Sequence, residues 1–200
     1  RVDIKNYKKT EKLLLAIKPQ IIFHLAAQPL VLKSYQDPVN TWLTNLLGTH
    51  NLLEVSRKLK FLKALIIITS DKCYKDVKNK TKYNEEDILG GHDPYSASKA
   101  ATEILVESYR LSFFSNNNYP KIVTARAGNV IGGGDWSQDR IIPDIVRSYI
   151  SNKTLKLRSP DAIRPWQHVL ECLSGYLLLG QYLIKNNKNS YYSFNFGPDL

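Results

Sequence analysis

The sequence predicts an α/β fold built on a doubly wound parallel sheet. Three short apolar runs, at 21–25, 64–69 and 122–125, are rich in β-branched or aromatic residues. Such runs are typical of strands that are buried on both faces of a parallel sheet. Longer segments with a helical pattern separate them, and this alternation indicates a doubly wound sheet. Ligands of such sheets bind at the carboxyl ends of the strands.

The helices can be assigned from their apolar patterns and their first residues. The first helix is expected over 6–17, before the strand at 21–25. Asp37-Pro38 opens a second helix over 39–59, whose apolar surface exceeds what one sheet contact needs. We expect its second face to be buried against a neighbouring helix or another subunit. Asp93-Pro94 opens a third helix over 95–114, because Asp caps helix starts and Pro suits the first turn.

After Gly128 the regular alternation ends. A glycine-rich loop is followed by a helix from about 141, a short strand near 155–157 and a last helix over 170–186. Residues 185–189 are expected to form a polar loop, and 194–200 to form a strand that ends at a turn. The first residue is Arg1 and the sequence contains no Met. We therefore expect the chain to be a piece of a longer protein.

Composition and charge exclude several classes of protein. The 200 residues, 43% of them hydrophobic, can form one substantial core. The net charge of +10 comes from lysines scattered among acids, which predicts a solvated surface that attracts a small anion rather than nucleic acid. No apolar stretch approaches the roughly 20 residues that span a bilayer. Cys73 and Cys172 lack metal-ligand spacing, so no metal site is expected.

Tyr95 and Lys99 are the first candidate catalytic pair. They are four residues apart, so they share one face of a helix. At the start of that helix, the dipole and the ammonium should both favour the phenolate. The spacing therefore predicts that Tyr95 acts as a base at neutral pH. The same spacing also occurs by chance on solvated helices, so its meaning depends on its surroundings.

Three more reactive groups follow the second strand. Ser70, Asp71 and Lys72 bring a hydroxyl, a carboxylate and an amine to a strand's carboxyl end, where doubly wound sheets carry their sites. Without Tyr95 and Lys99, this run would be interpreted as an ordinary turn with a surface lysine. With them, it predicts an active site.

A strand end rich in Thr and Ser, followed by Tyr-x-x-x-Lys, resembles the extended short-chain dehydrogenase/reductase family, and the resemblance covers nearly the whole chain. It extends to His24-Leu25-Ala26-Ala27, Asp3-Ile4, Thr44, the run 126–132 and Arg164. Within the family, the runs 69–74, 132–136 and 163–171 are similar to the branch that dehydrates CDP-linked sugars. Lys72 departs from the branch that dehydrates dTDP-linked sugars, which has Asp-Glu there. Family epimerases generally place a small or uncharged residue where Asp71 stands.

The resemblance implies an enzyme that uses NAD, acts on a nucleotide sugar and forms a cytoplasmic homodimer, without nucleic-acid or membrane partners. Residues 1–130 would form a Rossmann-like NAD-binding domain, truncated at its N-terminus, that carries the catalytic residues. Residues 131–200 would add substrate-binding segments interleaved with its last elements. The implied catalytic residues are Ser70, Asp71, Lys72, Tyr95 and Lys99. The implied cofactor contacts are Asp3, Ile4, Leu25, Ala26, Ala27, Thr44, Tyr95 and Lys99. The implied substrate contacts are Gln28, Asn129, Arg140, Arg164 and His168.

The implied reaction is oxidation at C4 of the glucose, loss of water across C5 and C6, and return of the hydride to C6. Tyr95 would take the C4 hydroxyl proton and Ser70 would orient that oxygen. Asp71 would protonate the leaving hydroxyl, which requires a raised pKa. Lys72 is a candidate base at C5 and must be neutral to act, which requires a lowered pKa.

Two alternatives remain open, and one expected motif is missing. An epimerase would use Tyr95 and Lys99 but would not need Asp71 and Lys72. A non-catalytic nucleotide-binding module would need none of these groups.

The glycine-rich loop that binds dinucleotides is missing from the sequence, and the glycines at 132–134 come too late to replace it. We therefore expect residues 1–200 alone to bind NAD poorly.

Overall fold

The computed structural model describes residues 1–77, 82–115, 120–186 and 192–198. Its α-helices are α1 (Tyr7–Ile17), α2 (Val31–Gln36), α3 (Pro38–Trp42), α4 (Gly48–Ser56), α5 (Pro94–Phe113), α6 (Ile141–Ile150) and α7 (Val169–Lys185). Its strands are β1 (Ile21–His24), β2 (Ala64–Ile68), β3 (Lys121–Ala127), β4 (Asn129–Ile131), β5 (Trp166–His168) and β6 (Ser193–Phe196). A π-helical turn (Leu43–Leu47) joins α3 to α4, and a 3₁₀ turn (Asp71–Cys73) follows β2.

The main sheet contains four parallel strands in the order β1-β2-β3-β6. Helices cover both of its faces. Leu65 and Ile67 of β2 pack in one core with residues of α4 and α5, whereas Ala64 and Ile66 pack in a second core with α7. Successive side chains of a strand point to opposite faces, so one short apolar run serves both cores. The predicted doubly wound parallel sheet is confirmed.

The predicted helix starts are also confirmed. Asp37 accepts a hydrogen bond from Asn40 N (3.0 Å) at the start of α3, and Asp93 accepts one from Ser96 N (2.9 Å) at the start of α5. Both aspartates satisfy backbone N–H groups that lack a partner within the helix. The helix predicted over 39–59 runs instead from Pro38 to Ser56, with the π-helical turn inside it.

The structure differs from the sequence predictions mainly after Gly128. Residues 155–157 form no strand; their alternation of Leu and Lys suits a strand, but they pair with no other strand in the described ranges. Instead, β4 and β5 form a small parallel sheet in which Asn129 lies opposite Trp166. These strands are short and partly polar, so the apolar pattern did not reveal them. Helix α2 was not predicted either. Residues 187–189 of the predicted polar loop and 199–200 of the predicted last strand lie outside the described residues.

The part of the chain that the structure describes lacks two features. No helix there has both the length and the apolar character needed to cross a membrane. No group of three or more His, Cys, Asp or Glu side chains there is arranged to hold a metal ion.

Candidate active site

The candidate site lies where β2 ends and α5 begins. The chain leaves β2 through Thr69 and Ser70 into the 3₁₀ turn, and α5 carries Tyr95 in its first turn. The backbone N–H of Tyr95 donates to Ser34 Oγ of α2 (3.2 Å), which fixes the start of α5 against the preceding helical segment. The fold therefore brings together groups that are more than twenty residues apart in the sequence.

Ser70 organises the turn that holds Asp71 and Lys72. Its hydroxyl accepts a hydrogen bond from Lys72 N (3.2 Å) and donates one to Asp71 Oδ1 (3.0 Å). Burial raises the pKa of the Asp71 carboxyl above its ordinary value, although Ser70 and Lys72 oppose this change. Burial lowers the pKa of the Lys72 ammonium, while Asp71 opposes this and Arg164 reinforces it. Each group is thus shifted toward its neutral form, the direction that the reaction implied by the family resemblance requires.

Tyr95 does not have the lowered pKa that its position at a helix start predicts. The side chain is buried, and burial raises the pKa of the phenol because it disfavours the charged form. The negative charge of Asp71 raises it further, and the hydroxyl of Ser70 acts in the opposite direction. The expectation of a phenolate favoured by Lys99 and the helix dipole is therefore wrong for this structure.

Lys99 is buried and directed toward the sheet. Its ammonium donates a hydrogen bond to the Ile68 carbonyl at the end of β2 (3.1 Å). Burial lowers the pKa of Lys99 to about 8, and the carboxylate of Glu103 limits this change. An ammonium can donate three hydrogen bonds, and this is the one that Lys99 makes to the described residues. Two N–H groups of a buried cation thus remain available for a ligand.

The predicted cofactor residues occupy two regions of the fold. Leu25 and Ala26 are exposed just beyond the carboxyl end of β1, where Ala27 is half-buried. Thr44 lies in the π-helical turn, where its hydroxyl donates to Asn40 Oδ1 (3.4 Å). The second region precedes α1. Asp3 there is exposed, and a Cβ on Gly48 would lie only 2.6 Å from Cγ2 of Ile4.

Two of the predicted substrate contacts are arginines close enough to act on the reactive groups. The positive charge of Arg140 lowers the pKa values of Tyr95 and Lys72, and that of Arg164 lowers those of Asp71 and Lys72. Arg140 also forms an ion pair with Asp135 (3.7 Å). Arg164 donates to the carbonyl of its neighbour Ile163 (2.8 Å) and is exposed. Both guanidinium groups therefore border the site.

The other predicted substrate contacts make bonds within the protein. The Gln28 amide donates to Leu30 O (3.1 Å) and Thr41 Oγ1 (2.9 Å), and its Oε1 accepts from Leu30 N (2.7 Å). These bonds hold the buried side chain inside the fold, so the geometry does not support a role in binding substrate. His168 caps α7 by accepting a hydrogen bond from Leu170 N (3.2 Å). Asn129 is half-buried in β4, within the small sheet.

Asn45 is a residue that the sequence reasoning missed. It lies buried in the π-helical turn, where its side chain accepts from Gln28 N (2.8 Å) and donates to Gln28 O (3.2 Å) and Ser98 Oγ (2.9 Å). It thus connects the segment after β1 to the helix that carries Tyr95 and Lys99. π-Helical turns often mark functional sites. Asn45 is one of several polar residues in the segment 38–56, so no signal in the sequence distinguishes it.

The parallel sheet, together with Ser70 at a strand end and Tyr95 and Lys99 on the next helix, defines a protein of the extended short-chain dehydrogenase/reductase class. A family model described as GDP-mannose 4,6 dehydratase matches residues 1–193. The chain belongs to this family.

Curated relatives and solved structures agree with that assignment. The chain is 46% identical to CDP-glucose 4,6-dehydratase of Salmonella typhimurium, over 98% of the chain and 56% of the relative. It is 37% identical to dTDP-D-glucose 4,6-dehydratase of Dictyostelium discoideum, over 68% of the chain and 32% of the relative. The chain therefore spans about half or less of the length of these relatives.

Among solved structures, UDP-glucuronic acid 4-epimerase of Bacillus cereus, in complex with UDP-glucuronic acid and NAD, has a TM-score of 0.84 at 24% identity. That match covers 100% of this chain and 60% of the epimerase. The dTDP-glucose 4,6-dehydratase of Bacillus anthracis, in complex with NAD, has a TM-score of 0.79 at 23% identity, over 98% of this chain and 57% of the dehydratase. At these identities the two structures establish the fold.

Proposed function

We propose that the full-length protein is a cytoplasmic, NAD-dependent dehydratase that converts CDP-glucose to CDP-4-dehydro-6-deoxyglucose. The observation that carries the proposal is the pairing of Asp71, whose pKa is raised, with Lys72, whose pKa is lowered, at the strand end beside Tyr95. Neighbouring groups whose pKa values are moved toward neutrality are typical of acid–base sites. The choice of CDP-glucose is supported by the 46% identity to the Salmonella enzyme.

The residues of this chain fit part of an NAD site. Lys99 offers two free N–H donors on a buried cation beside the end of β2, which suits the hydroxyl groups of a ribose. Leu25 and Ala26 are exposed beyond β1, at the edge where doubly wound sheets bind nucleotides. NAD, when bound there, would supply the acceptor and later the donor of one hydride.

Tyr95 and Ser70 would act on the C4 hydroxyl group. In the proposal, Tyr95 takes the proton of this hydroxyl as the C4–H bond breaks, which leaves a ketone at C4. Ser70 is close enough to Tyr95 for its hydroxyl to lower the pKa of the phenol, so it can stabilise the phenolate that takes this proton. Burial opposes the phenolate, whereas the positive charge of Arg140 favours it.

Asp71 and Lys72 would carry out the elimination. The C4 ketone makes the C5 proton acidic, and neutral Lys72 takes this proton. Protonated Asp71 gives its proton to the C6 hydroxyl, so the C6–O bond breaks and water leaves. The product is a C5=C6 double bond conjugated with the ketone. Addition of hydride at C6 and return of the proton from Lys72 to C5 complete the reaction, with no net oxidation.

Arg140 and Arg164 would hold the pyrophosphate of the nucleotide sugar. Guanidinium groups bind phosphate oxygens through pairs of parallel hydrogen bonds. Both arginines lie within electrostatic range of Lys72. A diphosphate held there would therefore place the attached sugar next to residues 70–73, the reactive turn. The charge of +10 would attract this anion.

We also propose that the full-length protein is a homodimer. Val39, Leu43 and Leu47 recur every four residues along the α3–α4 segment, and all three are exposed. Ile104 and Leu111 are exposed on the adjacent α5. An apolar stripe on two neighbouring helices is typical of a surface that pairs with another copy of itself. Sedimentation of the full-length protein at micromolar concentration tests this proposal.

Incubation of the full-length protein with NAD and a panel of nucleotide-linked glucoses tests the activity. We expect a product lighter by one water with CDP-glucose, without stoichiometric consumption of NAD. Asp71→Asn should abolish loss of water but retain partial oxidation at C4. The matched control is Asp144→Asn, which removes a carboxylate paired with Arg147 on α6. A product of unchanged mass with inverted C4, unaffected by Asp71→Asn, would instead identify an epimerase.

A further inference from the structure

A buried ion pair joins the catalytic helix to the central sheet. Glu103 lies on α5, one helical turn beyond Lys99, and its Oε2 lies 2.8 Å from Arg126 Nη2 on β3. The side chains are only 2% and 4% exposed. Burying two charges is costly unless their remaining polar atoms also find partners. Arg126 Nε has no hydrogen-bond partner among the described residues. The partners of the other polar atoms show what the pair holds in place.

The carboxylate of Glu103 is bound by two threonine hydroxyls. Thr69, which directly precedes Ser70, donates a hydrogen bond to Glu103 Oε1. Thr124 of β3 donates to Glu103 Oε2 (2.7 Å). The same carboxylate is thus connected to the beginning of the reactive turn through Thr69 and to the sheet interior through Thr124.

The guanidinium of Arg126 reaches the other end of that turn. Its Nη1 donates to the hydroxyl of Tyr74 (2.9 Å), and Tyr74 directly follows the 3₁₀ turn. The Tyr74 hydroxyl in turn donates to Asn195 Oδ1 of β6 (2.7 Å). The Tyr74 ring is stacked on Tyr83, with centroids 5.1 Å apart. Tyr74 is therefore fixed by both its hydroxyl and its ring.

We propose that Glu103 and Arg126 form a positioning pair for the reactive turn. Through Thr69 and Tyr74 the pair fixes both ends of residues 70–73 against α5, and it thereby sets Ser70 and Asp71 relative to Tyr95. Glu103 also places a negative charge one helical turn from Lys99. Both side chains are buried within the protein, so the pair acts through the turn and through Lys99. The inference rests on the proposed function only in treating this turn as catalytic.

The two threonines provide a matched test. Each donates one hydrogen bond to the same carboxylate and each side chain is buried. Valine has nearly the same shape as threonine, so Thr69→Val and Thr124→Val each remove one bond to Glu103. Thr124→Val also removes a contact with Ser193 Oγ (3.1 Å), and Thr69→Val removes a longer contact with the Ala125 carbonyl (3.5 Å). Only Thr69 is adjacent to the turn. A purely structural role for the pair predicts equal effects of the two changes, whereas a positioning role predicts unequal effects.

Hydrogen exchange gives a readout that does not depend on activity. In the full-length protein, we expect Thr69→Val to accelerate amide exchange in residues 70–74 and Thr124→Val to leave exchange there as in the unmodified protein. Tyr74→Phe, which keeps the ring but removes the hydroxyl at the other end of the turn, should act like Thr69→Val. Equal exchange of the turn in all three variants would overturn the proposal, even if their melting temperatures fell.

Kinetics supply the second readout. We expect Thr69→Val to lower kcat on the order of 10-fold to 100-fold with KM nearly unchanged, because misplacement of reacting groups costs rate rather than binding. Thr124→Val should change kcat by less than about threefold, the range expected when no reacting group moves. Equal kcat losses in the two variants would contradict the positioning role. If the unmodified protein dehydrates no nucleotide sugar, the proposed function fails, and the exchange result alone decides the role of the pair.

Discussion

Replacing Lys99 by Met should stabilise the protein in the absence of ligands, and the gain should depend on pH. Lys99 is buried and makes one hydrogen bond to the described residues, to the Ile68 carbonyl. Methionine has similar length and no charge, so it can fill the same space without desolvating an ammonium. Holding this cation in the interior should therefore lower the stability of the folded chain.

The size of the effect follows from the pKa of Lys99. Burial lowers it from 10.5 to about 8. At about 1.4 kcal/mol per pH unit, this difference corresponds to a cost of about 3 kcal/mol. The cost is fully present below pH 8, where folded and unfolded chains both carry the charge. It falls as the pH rises from 8 to 10.5, because the folded chain has then lost a proton that the unfolded chain retains.

Urea denaturation of the unmodified chain and of Lys99→Met, at pH 7 and pH 10, measures this cost. The variant's advantage in the free energy of unfolding should shrink by about 2–3 kcal/mol between the two pH values. Other groups titrate in both proteins and cancel in the difference. His24, which interacts with Lys99, has a pKa lowered to about 4 by burial and stays neutral throughout. An advantage that does not change with pH would refute the reasoning.

Three further predictions concern the fold and its ligand. Asp93→Ala should lower the free energy of unfolding by about 0.5–2 kcal/mol in urea denaturation, because Ser96 N at the start of α5 loses its acceptor. An unchanged free energy would contradict the capping role. Gly180→Ala should lower the free energy of unfolding by about 1–3 kcal/mol in the same assay, because the new Cβ would lie 2.9 Å from Cζ of Phe23. An unchanged free energy would mean that the Phe23 ring moves freely. Residues 1–200 titrated with NAD in a calorimeter should bind it weakly, because the chain lacks the glycine-rich loop; tight binding would overturn this expectation.

The sequence was sufficient to predict a structural element where one local interaction determines that element. The apolar runs identified β1, β2 and β3, and Asp37 and Asp93 identified two helix starts because a cap involves only the next few residues. Ser70, Asp71 and Lys72 were recognisable as one group because they are consecutive. The spacing of Tyr95 and Lys99 likewise placed them on one helical face.

The tertiary structure decided every property that depends on burial or on distant partners. The pKa of Tyr95 is raised rather than lowered, because desolvation by the surrounding fold outweighs the opposing effects of the Ser70 hydroxyl and the Arg140 charge. Gln28 is held inside the protein by Thr41 and by backbone groups, a fact that its position in a motif does not reveal.

The same distinction separates the reactive groups from the residues that hold them. The sequence by itself determined the parallel α/β class and which chemical groups stand at the end of β2. Only the tertiary structure decided that Glu103 and Arg126, which are 23 residues apart, meet in the core and bind both ends of the reactive turn. The physical reason is that the energy of a charged pair depends on how completely the fold excludes water and supplies partners, and neither quantity is local in the sequence.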